Sequence, residues 1–166
     1  DSGAANGIGF VQGKLNIGEA MPSPVIRLVK ARVKPDIDTV IIDSPPGTSC
    51  PMVESVQGSD FCLLVTEPTP FGLNDLKLAA ATVRQLNIPC GIILNRAGIG
   101  DGETEEYCRQ ENIPVMLTIP LDATIASFYS KGLPLVTGMP GYKDSFIELF
   151  KLIGETISER SGYPKR

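Results

Sequence analysis

The chain has 166 residues, of which 42% are hydrophobic and 20% charged, with a net charge of −4 and a pI near 4.9. This composition is typical of one ordinary globular domain and argues against a disordered or fibrous chain. The acidic balance, without a long Lys/Arg run, predicts no nucleic-acid binding through bulk charge. No apolar run approaches the roughly 18 residues that a membrane span needs, and no signal peptide opens the chain, so we expect a cytoplasmic protein.

The hydrophobic pattern predicts a short N-terminal stretch followed by alternating strands and helices. We expect residues 1–22 to be a linker with short extended segments, two of them within 9–19, and residues 161–166 to be a tail. The predicted helices cover 24–33, 52–58, 73–87, 102–112, 122–132 and 143–160, and the predicted strands cover 38–43, 60–67, 90–96 and 114–120. Near-continuous apolar strands that alternate with helices predict an α/β fold, a mostly parallel sheet flanked by helices.

The last predicted helix carries one apolar stripe, which we expect to dock onto the sheet. An alternative is a membrane-surface helix, but the opposite face carries glutamates rather than basic residues. The residues of the stripe are Phe146, Leu149, Phe150, Ile153 and Ile157.

The sequence contains no histidine and four separated cysteines, so any chemistry depends on carboxylates, backbone amides, Lys or Arg. Cys62 and Cys90 fall within predicted strands and should be core residues. Cys108 lies on a predicted acidic helix and should be inert. Cys50 is interpreted as a plain small residue.

Ligands of open α/β sheets bind beyond the carboxyl ends of the strands, which makes Asp43 the first candidate. A carboxylate there can hold hydrated Mg²⁺, because this ion prefers one or two carboxylates plus waters and phosphates. Gly47 has no side chain, so its N–H can approach a phosphate oxygen closely. The alternative is that Asp43 caps the turn and that the following prolines simply end the strand.

Three motifs in order then carry a family resemblance: "VIIDSPPGTS", "GIILNRAG" and "IPLDATIASFYSKGLPLV". They resemble switch II, the adenine-reading strand and the base-covering loop of the MinD/ParA/Mrp group of P-loop ATPases. More narrowly, "GKLNIGEAMPSPVIRLVK" and "VTEPTPFGLNDLKLA" look like the MinD-type ATPases with an inserted ferredoxin domain. The resemblance implies a P-loop NTPase-like fold, incomplete at its N-terminus, with residues 23–160 as the C-terminal part of the nucleotide-binding domain.

The resemblance also assigns roles on the phosphate side of the site. Asp43 would act in switch II and position Mg²⁺ through water, Gly47 would sense the γ-phosphate, and Pro46 would line the nucleotide. ATP and Mg²⁺ are therefore the implied cofactors.

On the base side, Asn95 offers a donor and an acceptor that match the adenine edge, and Arg96 can lie flat over the base. Adenine is favoured over guanine, because the position where GTPases have a base-reading aspartate is a glycine here. Pro120, Leu121 and Asp122 would flank the base or ribose, but Asp122 is an equally good helix N-cap.

The chain lacks one motif of the family, since G-x-x-x-x-G-K-S/T occurs nowhere in the 166 residues. We therefore expect no ATP hydrolysis by this chain alone. The intact parent is expected to be an ATP-dependent switch that works as a homodimer, or with a partner protein, through the nucleotide face. An iron–sulfur cluster would belong only to the missing inserted domain. The alternatives are a non-catalytic binding or scaffold domain and, less favoured, a redox protein that uses Cys50.

Overall fold

The computed structural model describes residues 2–5, 7–16, 18 and 21–161, and the chain divides into two compact units, residues 1–58 and 59–166. In chain order the elements are β1 (Ser2–Ala5), β2 (Ile8–Val11), α1 (Ser23–Lys30), α2 (Cys50–Val56), β3 (Cys62–Thr66), α3 (Pro70–Gln85), β4 (Cys90–Ala97), α4 (Glu103–Gln110), β5 (Val115–Pro120), α5 (Ala123–Ser130), α6 (Leu135–Gly138) and α7 (Gly141–Ser161).

The first unit begins with an antiparallel hairpin, in which Ser2 pairs with Val11 across β1 and β2. Of the two extended runs predicted within 9–19, the first forms part of β2. Residues 12–16 form no strand, and residues 17, 19 and 20 lie outside the described part of the chain, as do residues 162–166 of the predicted tail.

Helices α1 and α2 are held together by two basic side chains of α1. Arg27 forms an ion pair of 2.9 Å with Glu54. The ammonium group of Lys30 donates to three carbonyl oxygens at the end of α2, those of Glu54 (2.9 Å), Ser55 (3.1 Å) and Gln57 (2.7 Å). The last carbonyls of a helix have no intrahelical partner and carry partial negative charge, so a cation there satisfies and stabilises them.

The strand predicted over residues 38–43 is wrong. Residues 39–45 have no regular secondary structure, and the Ile41 side chain is 89% exposed. An apolar β-branched run becomes a strand only where a neighbouring strand pairs with its backbone N–H and C=O groups. Among the described residues of the first unit, the only ladder is the β1–β2 hairpin.

The second unit confirms the predicted parallel α/β architecture. Its three strands are all parallel in the order β3-β4-β5, with Cys62 opposite Cys90 and Leu64 opposite Ile92. Helix α3 connects β3 to β4, and α4 connects β4 to β5. Helical crossovers of this kind are what the continuous apolar runs predict. The strands are not all covered as expected, since only β4 has a run of buried residues, Val65 of β3 is 64% exposed and β5 has no buried residue.

The core lies between the sheet and α3. Ile92 and Leu94 of the central strand are buried, with Ile92 fully inaccessible. Helix α3 buries a stripe spaced by three and four residues, as an amphipathic helix must, and contacts β3. The stripe consists of Leu73, Leu76, Ala80 and Val83.

Helix α7 contacts β5, which confirms the predicted docking on the sheet. Leu149 is buried and Phe146, Ile153 and Ile157 are partly buried. Phe150 is exposed, contrary to the prediction, because it lies about 100° around the helix from Leu149 at the edge of the stripe. Within the described ranges, no helix combines the length and apolarity needed to cross a bilayer.

The cysteines are free thiols with different environments. Cys62 and Cys108 are buried, Cys90 is partly buried and Cys50 is exposed at the first turn of α2. Burial raises the pKa of the Cys62 thiol to about 11, with a smaller contribution from Cys90, and burial also raises the pKa of Cys108. Both buried thiols are therefore protonated, inert core groups at neutral pH.

Candidate functional site

Polar residues gather where the three parallel strands of the second unit end. Glu67 follows β3, and Asp122 comes two residues after β5. Asn95 and Arg96 lie near the carboxyl end of β4. Because the strands are parallel, their carboxyl ends lie at one edge of the sheet. We call this edge, formed by residues 67, 95–96 and 120–122, the carboxyl rim.

The end of β4 contains a β-bulge. Leu94 is opposite Thr118 and Ala97 is opposite Pro120, so Asn95 and Arg96 together face the single intervening residue of β5. Pairing resumes afterwards, since the N–H of residue 121 donates to the Ala97 carbonyl at 2.9 Å. A bulge redirects side chains and is common beside active sites. Asn95 and Arg96 thus lie inside the strand rather than after it.

Arg96 adopts a left-handed backbone conformation with φ of 54°. Residues with a Cβ rarely take this conformation, and such strain concentrates at functional sites. Its guanidinium lies 3.4 Å from a carboxylate oxygen of Glu67 on the neighbouring strand, with the two side chains 52% and 39% exposed. The bulge and the left-handed residue therefore direct Arg96 towards the end of β3.

The turn after β3 holds Glu67 firmly. Its carbonyl oxygen accepts from the Thr69 N–H at 2.8 Å, and the Thr66 hydroxyl donates to the Gly72 carbonyl at 3.0 Å. The Thr69 side chain caps α3 by accepting from the Gly72 N–H at 3.0 Å. A Cβ at Gly72 would collide with the Glu67 carbonyl oxygen, so only glycine allows this close approach.

Asp122 is the N-cap of α5. Its carboxylate accepts a hydrogen bond of 2.6 Å from the Thr124 N–H, and this bond lowers the pKa of Asp122 below its usual 3.8. The capping interpretation is confirmed. Pro120 and Leu121 are exposed beside it at the carboxyl rim.

The predicted switch segment lies in the first unit. Asp43 is exposed and forms no hydrogen bond or ion pair with the described residues, and Pro46 is exposed as well. Gly47 has φ of 89°, and a Cβ there would meet nothing within 4 Å. Glycine is therefore favoured at position 47 by backbone conformation rather than by a close contact.

The predicted site residues thus fall into two groups. Asn95, Arg96 and residues 120–122 are brought together at the carboxyl rim, whereas Asp43, Pro46 and Gly47 belong to the other unit. The sequence reasoning gave no role to Glu67, although an acidic residue directly after an apolar strand was a usable signal. Among residues 2–5, 7–16, 18 and 21–161, no group of three His, Cys, Asp or Glu side chains is arranged to hold a metal ion.

The parallel sheet, its flanking helices and its polar carboxyl edge define an α/β, P-loop NTPase-like fold. No protein-family model matches the chain. An uncharacterised protein of Methanocaldococcus jannaschii is 36% identical over 124 residues, covering 74% of this chain and 43% of that protein. The iron–sulfur cluster carrier protein of Aquifex aeolicus is 26% identical over 142 residues, covering 75% of this chain and 39% of that protein.

Among solved structures, the septum site-determining protein MinD of Pyrococcus horikoshii, complexed with Mg-ADP, matches with a TM-score of 0.57 and 26% identity. The match covers 76% of this chain and 53% of that one. The chain is therefore related to the MinD/ParA-type P-loop ATPases. It spans less than half the length of the two relatives compared above.

Proposed function

We propose that residues 23–160 are the C-terminal part of the nucleotide-binding domain of a MinD/Mrp-like ATP-binding protein. In the intact protein, binding and hydrolysis of ATP would switch an interaction across the nucleotide face, with a second copy or with another protein. The chain itself supplies the base-binding side and the switch segment. The phosphate-cradling P-loop is not among its residues.

The main support for this proposal is the bulge at the end of β4. Asn95 and Arg96 form this bulge, which lies at the edge where open α/β sheets bind ligands. The Asn95 amide has both a donor and an acceptor for the adenine edge, and the Arg96 guanidinium can stack on the base. Pro120, Leu121 and Asp122 would flank the base or ribose from the adjacent strand end.

The switch segment would serve the phosphates. Mg²⁺ would neutralise charge on the phosphate oxygens, and it takes one or two carboxylates together with waters. The Asp43 carboxylate is exposed and has no partner among the described residues, so it would be available to hold the ion through water. Gly47 would sense the γ-phosphate through its backbone N–H, and Pro46 would line the nucleotide. The Mg-ADP complex of the Pyrococcus horikoshii relative supports this choice of ligand.

The iron–sulfur cluster carrier proteins among the relatives support a coupling to iron–sulfur chemistry. Any cluster would lie in an inserted ferredoxin-like domain rather than in the present residues. We place the protein in the cytoplasm.

The first experiment is a titration of the ¹⁵N-labelled chain with adenosine and, separately, guanosine. Adenosine is expected to shift the amide signals of residues 95–96 and 120–122, and guanosine to shift them less. Asn95→Ala should abolish the adenosine effect, because both hydrogen bonds to the base are lost. A second measurement is ATP turnover by the chain alone, which we expect to be absent because the P-loop motif is missing.

Two results would count against the proposal. ATP hydrolysis by this chain alone would show that its phosphate chemistry does not depend on a P-loop. No response of the carboxyl rim to adenosine would favour the alternative, a non-catalytic scaffold domain with the same fold.

A further inference from the structure

Arg96 is directed to its position by two costly backbone features. A left-handed residue with a Cβ is disfavoured, and a bulge gives up regular ladder pairing. Both features fall on the same residue, and together they bring its guanidinium to the end of the neighbouring strand. A side chain that served only to cover the sheet surface would need neither.

The group that meets Arg96 there is itself fixed. Glu67 lies in a turn closed by the Thr69 N–H and packed against the backbone of Gly72. Its carboxylate lies 3.4 Å from the Arg96 guanidinium. The turn fixes the Glu67 backbone, and with it the point from which the carboxylate reaches Arg96.

A comparison within the same unit shows what is particular about this pair. Arg84 of α3 also bonds a glutamate, Glu111, and its guanidinium reaches the Glu111 carbonyl at 2.6 Å as well. Arg84 is helical, and Glu111 follows α4 at the opposite end of that helix from the carboxyl rim. The Arg84–Glu111 pair therefore links two helices, whereas the Glu67–Arg96 pair links the ends of two strands at the proposed base site.

We propose that Glu67 is a positioning residue for Arg96, holding its guanidinium at the carboxyl rim so that it is in place when adenine binds. This inference rests on the proposed adenine site. An arginine side chain that is free in solution loses rotamer entropy on stacking against a base. Glu67 reduces that loss by restricting Arg96 beforehand, which is the general advantage of a preorganised site. Glu67 itself does not touch the base.

The test compares Glu67→Gln with the matched control Glu111→Gln in the whole chain, using adenosine as the probe. Each variant removes one carboxylate from an exposed arginine pair of the same unit. Adenosine affinity, from the amide shifts, is expected to fall about threefold in Glu67→Gln, the size of effect that one exposed ion pair produces. It should not change in Glu111→Gln. The Nε–H signal of Arg96 should move towards that of a freely rotating arginine only in Glu67→Gln.

Each outcome separates this inference from the function on which it rests. If the wild-type chain binds adenosine and Glu67→Gln binds equally well, Glu67 has no positioning role and the adenine site stands. Equal weakening in both variants would reduce the effect to general charge and overturn the inference. No adenosine binding by the wild-type chain would overturn the adenine site and the Glu67 role together. If Glu67→Gln does not fold, Glu67→Asp, which keeps the charge, should bind adenosine more tightly than Glu67→Ala.

Discussion

Two segments that each contain a short aliphatic run, residues 38–43 and strand β3, take different conformations. In β3, Leu64 is buried and pairs in register with Ile92 of the central strand. In the other segment, Val40, Ile41 and Ile42 are all exposed and no ladder forms. Both runs have the β-branched and aliphatic side chains that favour strands. The difference shows that the neighbouring strand, rather than the composition, decides whether such a run becomes a strand.

The acidic residues at the carboxyl ends of the two segments, Asp43 within the first and Glu67 directly after the second, differ in the same way. Asp43 has no partner among the described residues, whereas Glu67 contacts Arg96. The carboxyl rim of the second unit is therefore organised by its own contacts. In the predicted switch segment of the first unit, the Asp43 carboxylate makes no corresponding contact with the described residues.

The largest expected effect is on the free energy of unfolding, and it compares an isoleucine in a paired strand with one in the segment that forms no ladder. Ile92→Ala should lower the free energy of unfolding by about 2–5 kcal/mol, because it opens a cavity at a fully buried site. Ile41→Ala, at an exposed site, should change it by no more than about 0.5 kcal/mol. Urea unfolding of both variants checks the difference. Equal losses would mean that residues 38–43 are packed in solution and would remove the contrast.

An intermediate effect is expected at the glycines of the two regions. Gly72→Ala should cost about 1–3 kcal/mol, because the new Cβ collides with the Glu67 carbonyl. Gly47→Ala should cost about 1 kcal/mol through backbone strain alone. The control is Gly154→Ala, in an open position of α7, which should stabilise the helix by up to about 1 kcal/mol. The thermal unfolding temperatures of the three variants give their order of stability. If Gly72→Ala left the stability unchanged, the tight turn at Glu67 would be contradicted.

The smallest expected effect is the pH dependence of stability that Asp122 contributes, with Asp43 as the comparison. The folded-state pKa of Asp122 lies below its usual 3.8, so its contribution to stability is present above that pH and is lost as the pH falls through the folded value. Wild type should therefore be more stable than Asp122→Asn at neutral pH, and the gap should close in acid. Asp43→Asn should leave the stability at neutral pH unchanged, because Asp43 forms no hydrogen bond or ion pair with the described residues. Urea unfolding midpoints of wild type and Asp122→Asn at several pH values measure this difference in stability. A difference that stays constant with pH would refute the capping role.

The parts of the fold that were predictable from sequence are those with long-range regularity. Continuous apolar runs identified β3, β4 and β5 to within two residues, and the three-to-four spacing identified α3 and α7. Helix α3 begins three residues earlier than predicted, because Thr69 caps it and Pro70 fits its first turn. The four-residue helix α6 is too short to show a periodicity.

The position of Asn95, Arg96 and Asp122 near the carboxyl ends of strands was predictable from the sequence, but their contacts were not. Asn95, Arg96 and Asp122 stand out because they follow apolar runs. The bulge that aims Arg96 depends on how β4 and β5 pair, and the Glu67 contact depends on that bulge. Neither has a local sequence pattern. Residues 38–43 are likewise exposed because no strand among the described residues pairs with them, and their own side chains do not reveal this.

The three hydrogen bonds of Lys30 have a mechanical consequence. Each of its ammonium protons is committed to a different carbonyl at the end of α2, so α1 cannot slide or rotate on α2 without breaking several bonds together. The two helices are therefore fastened to each other near their C-terminal ends, where the Arg27–Glu54 ion pair reinforces the three Lys30 bonds.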